Sequence, residues 1–416
     1  MTRLPTVGHA GNHHTLSRPR REAMSQPASV AQWTTVVRRQ LPHLSQPQAT
    51  VLALWSLGMV LARACGLTAV SLFLATLQER KENTVRQQLR EWCYEAPAKR
   101  GFQRQALAVA PCFAPLLHWV LAWWQGPQLA LALDATNLGT RFVVLAVSVL
   151  YRGCAIPVAW TILPATSKRP WKHDWLRLLQ DLQDVVPPTM TVLVLTDRGL
   201  YARWLFRRIV ALGWHPLLRV NAGGYFRPTG RAQGQWLSTY APQPGTTWPG
   251  TGTAFKTQPV ACTLLACWPA DQRQPWLLVT DLSPAASVAA WYGLRTWIEQ
   301  GFRLIKRGGW QWQQTRMTDP DRAARLWLAV AVATLWLVSV GGLAEDAIPV
   351  STVLDVTDAL GPHRATRRRV VSVFRRGWVT ILVALLQQAP LPLGRLLPEP
   401  WPCPQPQFAS GRHHDV

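Results

Sequence analysis

Apolar positions recur along this chain in two rhythms. From residue 33 to residue 92 they follow helical spacing, with one dense run, VLALWSLGMVLARACGL, closing at Gly66. The stretch QERKENTVRQQLREW then carries Lys81, Arg86 and Arg90 on a further helix. A Trp- and Leu-rich helix over residues 113–124 leads through Gly126-Pro127 into short apolar runs at 129–133, 142–150 and 155–163. Such short runs predict strands, and Arg152-Gly153 between the last two predicts a hairpin turn. Residues 171–185 return to helical spacing and stop at Pro187-Pro188. TVLVLT at 191–196 is continuous and aliphatic, as in a strand buried on both faces. A helix over 201–212 closes at Gly213, and 216–220 is another short strand.

Three strands, a helix, a strand, a helix and a strand is the order of an RNase H-like α/β core, an antiparallel meander joined to a parallel extension. Between residues 221 and 281 the texture turns to Gly, Pro, Thr and Trp with short alternating strands (ACTLLACW, PWLLVTDL), a β-rich insertion. Residues 285–307 are helical again. Residues 326–343 form an 18-residue stretch without a charge, at the lower limit for crossing a bilayer. It is rich in Ala and Val, contains Ser and two Gly, and follows a charged amphipathic helix, which predicts a core helix rather than a membrane span. The predicted divisions are a loose basic arm (1–31), a helical N-terminal module (32–125), a mixed-sheet core (126–220 and 282–345) interrupted by the insertion (221–281), and a basic C-terminal region with a Pro-rich tail (346–416).

Composition adds a partner. The chain of 416 residues carries 44 Lys+Arg against 21 Asp+Glu, a net charge of +23. A surplus of that size implies a polyanion, and nucleic acid is the commonest one. The helix bearing Lys81, Arg86 and Arg90 suits a DNA groove, and equally a solvated face. The 7 cysteines form no Cys-x-x-Cys pair and suit thiols in a reducing cytoplasm. The N-terminus starts polar, without the apolar stretch of a secretory signal.

Acidic residues are scarce, so two that follow apolar strands stand out: Asp134 after LAL and Asp197 after VLVLT. Strand ends are where open α/β sheets bind ligands. Carboxylates there draw a hard divalent cation such as Mg²⁺. Either Asp alone reads equally as a turn-capping residue. The segment WYGLRTWIEQGFRLIK is more informative. Tyr292, Arg295, Glu299 and Lys306 stand at offsets of 0, 3, 7 and 14. On an α-helix they form one polar stripe roughly 60° wide and about 21 Å long. Trp291, Leu294, Ile298, Phe302 and Ile305 gather beside it as an apolar face for docking on the sheet. Arg and Lys at that spacing suit consecutive phosphates, and the Glu can reach cations held by the two Asp.

The chain resembles bacterial insertion-sequence transposases with an RNase H-like DDE core, and within them the hairpin-forming group marked Tyr-(2)-Arg-(3)-Glu-(6)-Lys. Tyr292, Arg295, Glu299 and Lys306 match at every interval, Asp134-Ala135-Thr136 matches Asp-x-Thr, and Asp197-Arg198-Gly199 matches Asp-Arg-Gly, with the following aromatic displaced to Tyr201. The resemblance covers roughly residues 129–343. It implies Asp134, Asp197 and Glu299 as catalytic metal ligands for two Mg²⁺ (or Mn²⁺) ions. It also implies Tyr292, Arg295, Lys306 and Arg198 as DNA contacts. The expected activity is cleavage of double-stranded DNA at transposon terminal repeats and strand transfer into target DNA. A homodimer would act on two ends in the bacterial cytoplasm, on the nucleoid and without a membrane. A DNA-binding repressor or a nuclease that cuts without joining is the competing reading. Of the 23 Trp, those in the insertion (Trp236, Trp248, Trp268, Trp276) are candidates to stack an extruded base. His173-Asp174, near Lys168, Arg169 and Lys172, reads as a solvated or DNA-facing edge.

Overall fold

The computed structural model describes residues 28–100, 105–348 and 371–401. The arginines at 364 and 367–369 and most of the N-terminal arm lie outside these residues. The sheet begins as predicted. β1 (Gln128–Leu138), β2 (Phe142–Tyr151) and β3 (Cys154–Pro164) form the antiparallel meander. Arg152 and Gly153 both take positive φ between β2 and β3, the geometry of a two-residue hairpin. β4 (Thr191–Thr196) adds parallel to β1, and β5 (His215–Arg219) parallel to β4. Every residue of β2 is buried, so both faces of the sheet are covered here.

The stretch 221–281 does not leave this sheet. It supplies β6 (Tyr225–Pro228), β7 (Gln235–Trp236), β8 (Thr247–Ala254), β9 (Val260–Cys267) and β10 (Trp276–Thr280). β10 returns antiparallel beside β5. One ten-stranded mixed sheet results, in the order β3-β2-β1-β4-β5-β10-β9-β8-β6-β7.

Four helices lead into it: α1 (Ala28–Gln40), α2 (Gln46–Ala62), α3 (Leu67–Leu77) and α4 (Glu82–Trp92). The first four residues of α1 fall inside the stretch expected to be loose. Ser45 and Gln48 form a reciprocal capping box that fixes the start of α2. α5 (Phe113–Trp123), α6 (Lys172–Gln180) and α7 (Arg203–Ala211) follow, and α8 (Thr296–Arg303) lies across β3, β2 and β1. α9 (Pro320–Asp346) is the long apolar helix; 94% of its apolar window is buried by the protein itself, as a core helix requires. Trp33 of α1 stacks on Trp336 of α9 with ring centroids 4.0 Å apart, so the N-terminal helices share the core of the sheet domain.

The C-terminal region contributes to the core as far as it is described. α10 (Val373–Leu386) packs along α9, and the chain beyond it is held as far as Trp401. Trp336 donates its indole N–H to the carbonyl of Pro392 (2.9 Å), and Leu396 bridges to Trp124. The two helices touch backbone to backbone at glycines. A Cβ on Gly377 would lie 1.8 Å from the carbonyl oxygen of Leu337, and one on Gly341 1.9 Å from that of Val373. Gly377→Ala therefore has to push the helices apart. It is expected to cost about 2–3 kcal/mol in chemical denaturation. Gly223→Ala, with nothing within 4 Å, should stay within about 0.5 kcal/mol. Equal stabilities for the two variants would mean that α10 does not pack in this way.

Candidate active site

The parallel register of β1 and β4 sets the site. Their last pair is Leu133 with Thr196, so the next residue on each strand is an acid, Asp134 and Asp197. β4 stops there, whereas β1 continues to Leu138, paired on its other edge with β2. Asp134 is thus a mid-strand residue beside an edge that β4 has vacated, and not the strand-end residue expected.

Both carboxylates are held by one oxygen. Asp134 Oδ1 accepts from the backbone N–H of Ala135 (2.8 Å), and Asp197 Oδ1 from those of Gly199 (2.8 Å) and Leu200 (3.1 Å). The turn-capping role that each Asp could have had alone is thus realised for Asp197, but it occupies one oxygen only. The second oxygens face Arg295: its Nη2 lies 2.9 Å from Asp134 Oδ2 and 3.6 Å from Asp197 Oδ2. Arg295 Nη1 lies 2.7 Å from Glu299 Oε1. Three acids from three separate elements therefore surround one guanidinium.

The segment carrying Arg295 and Glu299 is not one α-helix. Residues 289–295 wind as a 3-10 helix, α8 takes over at Thr296, and 304–308 form a π turn. The uniform spacing assumed for the stripe of Tyr292, Arg295, Glu299 and Lys306 fails at both ends, because a 3-10 turn holds fewer residues than an α turn. The apolar face is as expected, with Trp291, Ile298, Phe302 and Ile305 buried and Leu294 packed against the core. Gly301 brings α8 against the sheet, since a Cβ there would lie 2.8 Å from that of Ala155.

Burial separates the polar residues. The Asp134 and Arg295 side chains are only 12% and 10% exposed, whereas Glu299 is 51% exposed. Burial pushes the Asp134 carboxyl up to about 6, with Asp197 and Glu299 adding to the rise and Arg295 and the Ala135 N–H opposing it. Lys306 donates to the Thr136 hydroxyl (2.6 Å), two residues along the same face of β1 from Asp134. Burial lowers the pKa of this lysine. Tyr292 is buried between the Trp276 ring (5.5 Å) and the Arg219 guanidinium (5.8 Å), and burial raises its hydroxyl. Arg198 is exposed and donates to Gln274 (2.6 Å). Thr136 and Arg219, the partners of Lys306 and Tyr292, had no role assigned from sequence. Thr136 was quoted in Asp-x-Thr; Arg219 had no signal.

No three His, Cys, Asp or Glu side chains among the described residues are close enough together to hold a metal ion. The three acids stand at the spacing of a guanidinium. Their chemistry nonetheless suits a hard cation, because each Asp offers an oxygen that no backbone group takes and the buried one is destabilised by its own charge.

Asp174 corrects the reading of a solvated edge: it is buried, and Arg169 holds both its oxygens (2.6 and 2.8 Å). Among the tryptophans of 221–281, Trp248 packs on Tyr240 and Phe226, Trp268 donates to the Gln272 carbonyl, and Trp276 meets Tyr292. Trp236 is 56% exposed.

The chain thus combines a mixed-sheet α/β architecture with three acids that converge on one guanidinium beside a vacated strand edge. Residues 172–336 match the family model of the transposase DDE domain, a span that includes Asp197 and Glu299 but not Asp134. The match supports a DDE transposase and DNA transposition in general terms. Among solved structures, the chain is similar to that in a cryo-EM structure of piggyBac transposase synaptic complex with hairpin DNA. The identity is 10%, with 74% of this chain and 71% of that chain covered and a TM-score of 0.38. No curated protein matches the chain.

Proposed function

We propose that this chain is a DDE transposase that cuts DNA at the ends of a bacterial insertion sequence and joins the freed ends to target DNA. The observation that carries the reading is the convergence of Asp134, Asp197 and Glu299 on a single cationic group. In the working enzyme these three residues would hold two Mg²⁺ or Mn²⁺ ions. A bound pair supplies Lewis-acid chemistry, activating the attacking oxygen and neutralising charge on attacking and leaving oxygens of an in-line displacement at phosphorus.

The protein's own residues do the positioning. Asp134 and Asp197 are fixed by backbone hydrogen bonds to Oδ1, and with Glu299 they would hold the ions. Glu299, half-exposed on α8 beside Arg295 Nη1, completes the set. Lys306, level with Thr136 on β1, stands where the phosphate next to the scissile one runs, and Arg295, Tyr292 and Arg198 complete the grip on the backbone. Water attacks the phosphodiester first and the 3′ oxygen leaves as a hydroxyl. That hydroxyl attacks the opposite strand to give a hairpin, expelling the 3′ oxygen of the flanking DNA. A second water reopens the hairpin and frees the 3′ hydroxyl again, which then attacks target DNA and expels a target 3′ oxygen. A homodimer on two ends, in the cytoplasm, completes the proposal.

The test is a duplex carrying the repeats that flank the reading frame, incubated with the protein with and without Mg²⁺. Nicking at the repeat boundary only with Mg²⁺, followed by joining to a target plasmid, is expected. Absence of metal-dependent cleavage on a bound cognate end would defeat the reading; cleavage without joining would reduce the protein to a nuclease.

The N-terminal helices have a DNA-facing candidate of their own. A cleft of about 740 Å³ opens between them and residues 311–319, lined by Arg86 and Arg90 on one wall and Arg316 and Arg322 on the other. Arg141 pins the second wall through the carbonyls of Gln313, Thr315 and Met317, which ties it to the hairpin that follows β1. If Arg86 and Arg316 each neutralise one phosphate, replacing both by Ala lowers the slope of log affinity against log salt by roughly 2. An unchanged slope in salt titrations would place the DNA elsewhere.

A further inference from the structure

We infer that Arg295 is a built-in counter-ion which holds the three acids converged before any divalent cation arrives, and that it must withdraw for the cation to enter. The inference rests on the transposase reading above and concerns a residue so far assigned only to the grip on phosphate.

The hydrogen bonds of the guanidinium define its place. Nη1 and Nη2 are directed at Glu299, Asp134 and Asp197. Nε is buried with no partner. The head is thus held through Nη1 and Nη2, whose partners are all carboxylates. A fixed positive charge among three negative ones suppresses their mutual repulsion, which otherwise favours turning the half-exposed Glu299 away. The same charge repels an incoming divalent ion. The acids cannot satisfy both, because they now stand too far apart to ligate a metal.

Withdrawal leaves Arg295 without an anion, and a DNA phosphate is the anion that the reaction brings to this place. Metal and DNA are therefore linked through one side chain. DNA that captures Arg295 tightens metal binding, and metal that displaces Arg295 tightens DNA binding by the same factor. The remaining charged groups around the acids do not replace it: Lys306 is turned to Thr136 and Arg198 to Gln274.

The experiment measures Mn²⁺ binding by calorimetry, with no reaction taking place, for the wild-type protein, R295Q and R295K. Each is measured alone and with a duplex ending at the cleavage point. Without DNA, R295Q should bind Mn²⁺ about 10-fold more tightly than wild type, since the lost repulsion exceeds the lost ordering of one Glu side chain. R295K, which keeps the charge, should stay near wild type. Adding the duplex should tighten Mn²⁺ binding several-fold in wild type and much less in R295Q. Equal affinities of wild type and R295Q without DNA, or an equal DNA effect in both, would overturn the inference. If R295Q fails to fold, the wild-type measurement decides alone: no tightening by DNA overturns it. Absence of Mn²⁺ binding to any of these proteins, with or without DNA, would sink the transposase reading itself, which separates the two failures.

Discussion

Glu299→Gln is expected to lower metal-dependent cleavage of a cognate end by about 10³-fold or more, while binding of that end stays within a few-fold. The substitution keeps the length and shape of the side chain and an oxygen that can still accept from Arg295 Nη1. It removes the negative charge that a divalent ion requires. Glu299 is half-exposed on α8 and contributes nothing to the apolar face that docks the helix, so folding should change by less than about 0.5 kcal/mol. A large catalytic effect with a small structural one separates this residue from a merely structural ion-pair partner. Cleavage assays and gel-shift titrations on the same duplex read the two quantities. Unimpaired cleavage would remove Glu299 from the site. Parallel loss of binding and cleavage would make its role one of DNA contact.

Much of this site was legible in the sequence, and the exceptions share a cause. TVLVLT is apolar between its two threonines, so both the buried strand β4 and the half-exposed start of its loop at Asp197 could be read directly. Asp134 was read as closing a strand because LDATNL turns polar. In fact β1 continues, its polar residues supported by β2 on one edge only. Pattern reports how apolar a strand's surroundings are, not which of its edges has a neighbour. The spacing from Tyr292 to Lys306 was read as one α-helix, whereas the segment winds as 3-10, α and π turns, because side-chain pattern hardly distinguishes these hydrogen-bonding schemes. Arg295 was read as a phosphate contact since arginine favours that anion; that it already sits among three carboxylates depends on distances across the sheet, which no spacing encodes. α10 was hidden by the basic and Pro-rich stretches around it, although VFRRGWVTILVALL has its own apolar run, and Gly377 in it marks the close approach to α9.

The buried acid makes a second large effect, of opposite sign for stability and for activity. Asp134 has its folded pKa raised from 3.8 to about 6. Between those two values the folded protein retains a proton that the unfolded chain gives up. The stability this proton confers is complete below the unfolded pKa and is lost as pH rises through the folded one. At neutral pH the metal-free protein therefore carries an ionised carboxylate that costs on the order of 2–3 kcal/mol, at about 1.4 kcal/mol per pH unit. The attraction of Arg295 is already included in that balance. Asp134→Asn removes the charge, keeps the shape and leaves a carbonyl to accept from Ala135 or Arg295. In chelator at pH 7.5 this variant should resist denaturant by about 1–3 kcal/mol more than wild type, and the advantage should vanish below about pH 4. Added Mg²⁺ should narrow or reverse the order, because binding at 100 times Kd contributes about 2.7 kcal/mol to wild type alone. Cleavage by the variant should fall at least as far as for Glu299→Gln. A variant no more stable than wild type at neutral pH in chelator would show that Asp134 is not held ionised against its environment, and the reason given for a cation at this position would go with it.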